Sequence, residues 1–328
     1  MLDVPALHPH AVRYAERAAA HNAIQKILVV VEPNATNHHC LEKAARIALA
    51  CGSSIELFAC DFARDLPETW AGGTTLAAYR GVMRERHIAD LEALATPLRA
   101  RGLSVTTECH GTAQLEEAIV ERAIRTNADL IVKDARPHPA GARAPSTQID
   151  WLLIREAPIP LLLVKPAAWP SHPRICIAVD PCHPADRTPA LDDELIVTGR
   201  SLGRALSGEL DIVHALESPP HLPGEDVTNI ARQKAYAHAR AAVEELAYRA
   251  GVSHEAIHCV PERVPEGILK LVDATGADIV VMGAAARPRF QYSAATTASL
   301  VLDQVTCDVL VVKAPGFVSP LLSTENDR

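Results

Sequence analysis

Apolar runs without polar alternation recur along the chain, separated by segments long enough for a loop and one helix. Two of them, Ala277–Gly283 and Cys307–Lys313, enclose one such segment. Strands that lack alternation are buried on both faces, as in a parallel sheet covered by helices. The pair therefore predicts a strand–helix–strand unit. Its loop after Gly283 leaves the carboxyl end of a strand, which is where open α/β sheets bind ligands.

The same pattern occurs twice in the chain. The apolar run that starts at Lys26 and ends in an acid and a proline returns 148 residues later, at Arg174. Three further landmarks return at 148 or 149 residues, and four landmarks in one register indicate an internal duplication. The matched landmarks are Lys26 with Arg174, Glu117 with Glu266, Asp129 with Asp278, and Leu161 with Val309.

Each half predicts five strands that alternate with helices, which makes the fold class α/β with two tandem five-stranded parallel sheets. The expected domains are residues 25–166 and 174–315, preceded by an extension at 1–24 and followed by a tail at 316–328. Prolines in the stretch 167–173 remove backbone donors and prevent a helix, so this stretch is expected to be a linker. Its Trp169 is expected to anchor the linker by packing.

A long helix is predicted in each half, over Leu76–Arg99 and over Thr228–Ala250. The first carries an apolar stripe at helical spacing. A histidine on such a stripe is most often a hydrogen-bonded core residue, and the alternative is an apolar pocket under the helix that binds a lipid-like ligand. The residues of this speculative pocket are Tyr79, Met83, His87 and Leu91.

Composition excludes several classes of function. The net charge is −8 and the pI about 6.0, which argues against nucleic acid or an anionic membrane as the partner, since both require a basic face. No apolar run approaches the ~18 residues of a membrane span, and no secretory signal is evident. The eight cysteines form no CxxC pair, so a reduced, cytoplasmic setting is expected.

Catalytic and metal motifs are not found in the sequence. Adjacent residues on a helix point in different directions, so His38-His39-Cys40 is not expected to hold a metal ion. No nucleophile elbow, HExxH or P-loop lysine is present. We therefore expect no enzyme activity, no metal and no cofactor.

Two strands of the second half end in Val179-Asp180 and in Val213-His214-Ala215, and the last apolar run is Cys307–Lys313. These endings give the chain a resemblance to the universal stress protein family. The resemblance covers nearly the whole sequence as two tandem copies. Asp150-Trp151 and the linker Trp169-Pro170 are similar to the tandem E type of proteobacterial cytoplasm. The resemblance implies two sandwiches of the adenine-nucleotide α-hydrolase-like type, packed as an intrachain pseudo-dimer.

Nucleotide-binding members of that family carry a Gly-x2-Gly-x9-Gly-[Ser/Thr] loop, whose backbone N–H groups close on phosphate oxygens. In the second domain Gly283 matches the first glycine, but Ala286 and Thr296 replace the other two. The resemblance assigns ribose and adenine contacts to Asp180 and Ala215. The candidate nucleotide site comprises Asp180, Pro181, Ala215, Gly283, Ala286, Arg287, Thr296 and Thr297.

The matching loop of the first domain starts with Lys133-Asp134 and lacks the glycine. Asp134 would repel phosphate. A lysine at the end of an apolar strand is costly unless it is paired, so Lys133 is expected either to pair with Asp134 or a helix acid, or to bind an anion.

Three functions follow as hypotheses. The first is a non-catalytic tandem stress protein with degenerate nucleotide-binding loops, which binds a partner or small ligand in the cytoplasmic stress response. The second is an ATP-binding stress protein with slow hydrolysis or autophosphorylation through the second domain. The third is a carrier of an apolar or lipid-like ligand.

Overall fold

The structure is a computed structural model, and it describes residues 24–33, 35–61, 76–111, 114–135, 145–182, 189–216, 225–284 and 296–321. The described residues 24–166 form one compact unit and residues 167–318 another. We call them the first unit and the second unit. The predicted N-terminal extension lies outside the described residues, except for its last residue.

Each unit contains a five-stranded sheet whose strand pairs are parallel. The strands of the first unit are β1 (Lys26–Val30), β2 (Ser54–Asp61), β3 (Val105–Gly111), β4 (Leu130–Asp134) and β5 (Leu161–Val164), and those of the second are β6 (Arg174–Ala178), β7 (Glu209–Ala215), β8 (Ile257–Val260), β9 (Ile279–Gly283) and β10 (Asp308–Val312). The order is β3-β2-β1-β4-β5 in the first unit and β8-β7-β6-β9-β10 in the second.

Helices connect the strands and cover the sheets. The first unit contains α1 (His39–Cys51), α2 (Leu76–Ala100), α3 (Leu115–Arg125) and α4 (Pro145–Glu156), and the second contains α5 (Pro189–Leu206), α6 (Glu225–Ala250), α7 (Glu266–Thr275) and α8 (Thr297–Gln304). In the first unit α1 and α2 pack on the strands, and α3 packs against α4. The prediction of two tandem five-stranded α/β sandwiches is confirmed.

The strand order places a switch point in each unit. The chain leaves β1 toward β2 and β3, then crosses back to β4 on the other side of β1. The carboxyl ends of β1 and β4 therefore form the first switch point, and those of β6 and β9 form the second. Ligands of open α/β sheets bind at such points.

The sequence repeat has a structural cause at the opposite end of the sheets. In the first unit Asp129 accepts hydrogen bonds from the backbone N–H of Gln25 and of Lys26, each at 2.9 Å. In the second unit Asp278 accepts the N–H of Arg174 at 2.8 Å. Each aspartate thus satisfies a backbone donor where the central strand begins, and this explains why the aspartate recurs in both units.

Trp169 joins the stretch 167–173 to the second unit by a hydrogen bond, where the sequence predicted an anchor by packing. Its indole Nε1 donates to Oδ2 of the buried Asp308 at 2.8 Å. The bond fixes the linker where β10 begins.

None of the described helices combines the length and apolar character that a membrane span requires.

An ionic cluster holds α2 on the outer strand β3. Glu92 accepts hydrogen bonds from Arg99 at 2.6 Å and from the Thr107 hydroxyl at 2.5 Å. The hydrogen bonds from Arg99 and then from Thr107 lower the pKa of Glu92 to about 2. The carboxylate therefore favours the folded state above its ordinary pKa, near 4.3, and this contribution is lost as the pH falls toward 2.

We predict that Arg99→Gln raises the pKa of Glu92 toward its ordinary value, because the strongest donor to the carboxylate is lost. An NMR titration of the Glu92 side chain in both proteins measures this directly. An unchanged pKa in the variant would contradict the assignment, and Arg101→Gln, which removes an arginine paired with Glu42 instead, serves as the control.

Candidate functional site

The first switch point is filled by an ionic network of the protein's own side chains. Lys133, the fourth residue of β4, is 1% exposed. Its Nζ lies 2.8 Å from Glu32 Oε1, 2.9 Å from Asp150 Oδ1 and 2.9 Å from the carbonyl oxygen of Asp134. Burial lowers the pKa of Lys133, but the Asp150 and Glu32 carboxylates outweigh it and hold that pKa above its ordinary value.

Asp134, the last residue of β4, occupies the amino end of α1. Its Oδ1 accepts the backbone N–H of Cys40 at 2.8 Å. The free N–H groups at the start of a helix are the groups that otherwise bind a phosphate. A carboxylate of the protein already takes that role here, and burial together with Asp134 raises the pKa of the Cys40 thiol.

Lys133 therefore has the structural role rather than the anion-binding one. The helix acid that pairs with it is Asp150 on α4, which is fully buried. Asp134 contributes its carbonyl oxygen to Lys133, while its carboxylate binds α1. An incoming phosphate would meet three carboxylates at this switch point, so the geometry disfavours nucleotide in the first unit.

The second switch point lacks this network. Met282 occupies the position that corresponds to Lys133, and it pairs in register with Ala178 of β6. Asp180, half-buried just beyond β6, donates its backbone N–H to Asp192 Oδ1 of α5 at 3.0 Å. Beside it, His214 of β7 donates from Nδ1 to the carbonyl oxygen of Val179 at 2.9 Å.

Four of the predicted nucleotide-site residues lie at the ends of neighbouring strands. β6 lies between β7 and β9, so Asp180 and Pro181 follow the central strand, with Ala215 and Gly283 ending the strands on either side. Ala286 and Arg287 lie outside the described residues. The nucleotide site as a whole therefore stays a prediction.

Gly283 is enclosed by protein rather than open to a ligand. A Cβ on this residue would lie 2.7 Å from Leu191 Cδ2 and 3.2 Å from its Cγ. Leu191 belongs to α5 and is 2% exposed. The glycine that matches the first position of the nucleotide loop thus also gives Leu191 of α5 room to pack against β9.

The threonines of the loop form the start of α8. Thr296 is the residue that caps the helix, with its side chain accepting the N–H of Ser299, while the Ser299 hydroxyl accepts the N–H of Thr296. This reciprocal capping box satisfies two backbone donors without a ligand. Thr297, the first residue of α8, is half-buried.

The residues predicted to line an apolar pocket lie on α2, which packs on β2 and β3. Leu91 is 2% exposed and His87 is 4% exposed, with its Nδ1 4.0 Å from Asp90 Oδ2. Met83 is half-buried, and the side chain of Tyr79 lies outside the described part of the chain. These positions agree with a core histidine on the packed face, and the lipid-like ligand stays a prediction.

A separate cleft of about 440 Å³ opens at the carboxyl end of β3. This cleft was not predicted from the sequence, because its walls come from three separate elements of the first unit. Its lining is polar and includes Arg84 of α2, Cys109, His110 and Gly111 of β3, and Glu117 and Glu121 of α3.

Within the described ranges, no group of three or more His, Cys, Asp or Glu side chains is arranged to hold a metal ion. His38 and His39 lie at the start of α1, and Cys40 is buried there.

Two residues that shape the second switch point were not identified from the sequence. Leu191 fills the space beside Gly283, and Asp192 accepts the N–H of Asp180. Asp192 could have been found, because it lies in the first turn of a helix that follows an apolar strand. Acidic residues at that place interact with backbone N–H groups. No comparable signal marked Leu191.

The fold defines a tandem α/β protein with one switch point in each unit, of which the first is filled by side chains. The chain matches the universal stress protein family over residues 23–165 and 173–313. It therefore belongs to that family, and the predicted resemblance is confirmed.

Similar proteins include tandem relatives of the E type. Universal stress protein E of Escherichia coli is 26% identical over 314 residues, covering 92% of this chain and 98% of that protein. Universal stress protein E of Photorhabdus laumondii is 25% identical, covering 90% and 97%. A crystal structure of a putative universal stress protein from Pseudomonas aeruginosa is 27% identical with a TM-score of 0.69, covering 90% and 95%.

Proposed function

We propose that the protein is a non-catalytic tandem universal stress protein that acts in the cytoplasmic stress response by binding a partner or a small ligand. Family membership supports the stress-response role. The observation that carries the proposal is the first switch point, where Lys133, Glu32 and Asp150 form a buried ion network and Asp134 binds the start of α1. In the first unit, the protein's own side chains therefore fill the place where a ligand would bind.

A second candidate function is ATP binding through the second unit. It is favoured by the difference between the units, since Met282 and Gly283 stand where the first unit has Lys133 and Asp134. Against it, Gly283 and Thr296 already have packing and capping roles. ATP binding therefore stands as the alternative to a different ligand or a protein partner.

We predict at most one ATP bound per chain, and no steady release of phosphate. Isothermal titration with ATP and Mg²⁺ gives the stoichiometry, and a phosphate-release assay gives the turnover. Any binding should be lost in Asp180→Asn and kept in Glu32→Gln, because these two acids follow corresponding strands of the two units. Two sites per chain, or binding lost only in Glu32→Gln, would overturn the proposal for the first unit. Steady turnover that a single substitution abolishes would overturn the non-catalytic assignment.

Native mass spectrometry of freshly purified protein separates the ligand classes. A bound nucleotide, a bound lipid and a bound protein each add a different mass to that of the chain. A co-purified nucleotide would favour the ATP alternative, and a co-purified lipid would favour the pocket under α2.

A further inference from the structure

The outer strands of the two sheets carry backbone groups that no strand of their own sheet pairs with. In the first unit β3 is the last strand beyond β2, and in the second β8 is the last beyond β7. An exposed strand of this kind is a template for pairing with another chain. Whether β3 and β8 can pair with a further strand therefore depends on which groups already bind their outward N–H and C=O groups.

On β3 the alternation of the backbone shows which carbonyl groups face outward. The carbonyl oxygen of Ser104 accepts the N–H of Ile55 in β2 at 2.8 Å. Since successive residues of a parallel strand present their carbonyls to alternate sides, those of Val105, Thr107 and Cys109 face away from β2.

Arginines of α2 occupy two of these three carbonyls. Arg99 Nε donates to the carbonyl oxygen of Val105 at 3.0 Å, and Arg84 Nε donates to that of Cys109 at 3.1 Å. The N–H of Cys109 is also used, since it donates to Glu108 Oε1 at 3.2 Å. A further strand could not pair with β3 without displacing both guanidinium groups.

The cleft described above is lined by the last three residues of β3. Arg84 lines this cleft and makes its hydrogen bond to the strand there. Arg84 therefore lies in the cleft and on one outward carbonyl of β3 at the same time.

The second unit reaches the same result with a different residue. The carbonyl oxygen of Val260 accepts the N–H of Leu216, which follows β7, so that of Cys259 faces outward. The Tyr236 hydroxyl on α6 donates to it at 3.1 Å. The long helix of each unit thus places a donor on the outer strand, although arginine performs this in one unit and tyrosine in the other.

We propose that Arg84, Arg99 and Tyr236 protect the outer strands, so that neither β3 nor β8 pairs with a strand from a second copy of the chain. The second copy is the relevant occupant because it presents an identical strand in solution. This protection acts in the full chain and does not depend on the ligand that the protein binds.

The test compares Arg84→Ala/Arg99→Ala with wild type by light scattering after size exclusion, over a series of protein concentrations. The matched control is Arg80→Ala/Arg86→Ala, which removes two exposed arginines from the same helix without touching an outer-strand carbonyl. We expect the mass of the first variant to rise about twofold with concentration, as one added copy requires, while the control follows wild type. Hydrogen exchange should show new protection within residues 105–111.

Equal masses for the variant, the control and wild type would overturn the proposal, as would added mass without protection on β3. Arg84→Lys/Arg99→Lys keeps a donor at each position and should behave as wild type. If the double alanine variant does not fold, Tyr236→Phe provides the test in the second unit, since it removes one hydroxyl and keeps the ring. New protection on residues 257–260 with added mass supports the proposal, and unchanged mass contradicts it.

Discussion

Lys133→Met should destabilise the first unit by about 3–5 kcal/mol, the usual cost of removing one partner from a buried ion pair. The substitution places at position 133 the methionine that the second unit has at the corresponding position, Met282. Asp150, which is fully buried, then retains a charge without its cation, while the half-buried Glu32 is partly hydrated. Urea unfolding followed by circular dichroism measures the loss in the transition of the first unit.

The second variant, Lys133→Met/Asp150→Asn, should recover most of that stability, because it also removes the buried negative charge. A coupling of at least ~2 kcal/mol is expected for groups in direct contact. Lys26→Met is the control, since Lys26 is 29% exposed and the buried Glu56 that it pairs with keeps Arg122 as a partner. Its loss should therefore cost about 1 kcal/mol. Equal costs for Lys133→Met and Lys26→Met would show that the network does not hold the switch point closed.

The experiment is best performed near neutral pH. Lys133 has a raised pKa in the folded protein, so its contribution is fully present below the ordinary lysine value near 10.4. That contribution is lost only as the pH rises through the higher folded-state pKa. Measurements at pH 7 therefore record the network at full strength.

The fold followed from the sequence because parallel strands covered on both faces leave a clear signal. The run beginning at Lys26 and its copy at Arg174 are continuous apolar segments because nearly every residue in them is buried. The long helix predicted over Leu76–Arg99 ends within one residue of the observed helix, and the one predicted from Thr228 begins three residues earlier, at Glu225. Helix boundaries at either end are less well marked than strand cores, because the terminal turns lack part of their internal hydrogen bonds.

The candidate site was harder to predict because its contacts cross between elements. Lys133 was expected to need a partner, but the choice of Asp150 depends on how α4 packs on β4. Asp134 was expected to repel phosphate, and the structure adds that its carboxylate already binds the start of α1. A local sequence pattern therefore indicates that Lys133 and Asp134 need partners, but it does not identify the partner residues.

Gly283 shows how a motif position can have a second cause. In the sequence it matches the first glycine of a phosphate loop, and in the structure it gives Leu191 room to pack. Both interpretations are consistent with glycine, so the residue by itself does not distinguish them. The change in stability when Gly283 is replaced does distinguish them.

Gly283→Ala should lower the free energy of unfolding of the second unit by about 1–3 kcal/mol, as other added methyl groups do in a packed core. The new Cβ would lie 2.7 Å from Leu191 Cδ2, so Leu191 must leave its present position. Leu191→Ala alone should cost about 2–5 kcal/mol through the cavity it creates. In the double variant the new methyl group no longer meets a leucine, and the combined cost should be smaller than the sum by at least ~1 kcal/mol.

Gly111→Ala provides the control, because a Cβ there meets nothing within 4 Å, and its effect should stay within about 0.5 kcal/mol. The same proteins are then titrated with ATP and Mg²⁺. If Gly283 served only the approach of a phosphate, Gly283→Ala would leave the unfolding free energy unchanged and weaken nucleotide binding. A loss of stability that Leu191→Ala relieves would instead show that the packing of α5 against β9 maintains this glycine, and its match to the nucleotide loop would then be no evidence that the second unit binds ATP.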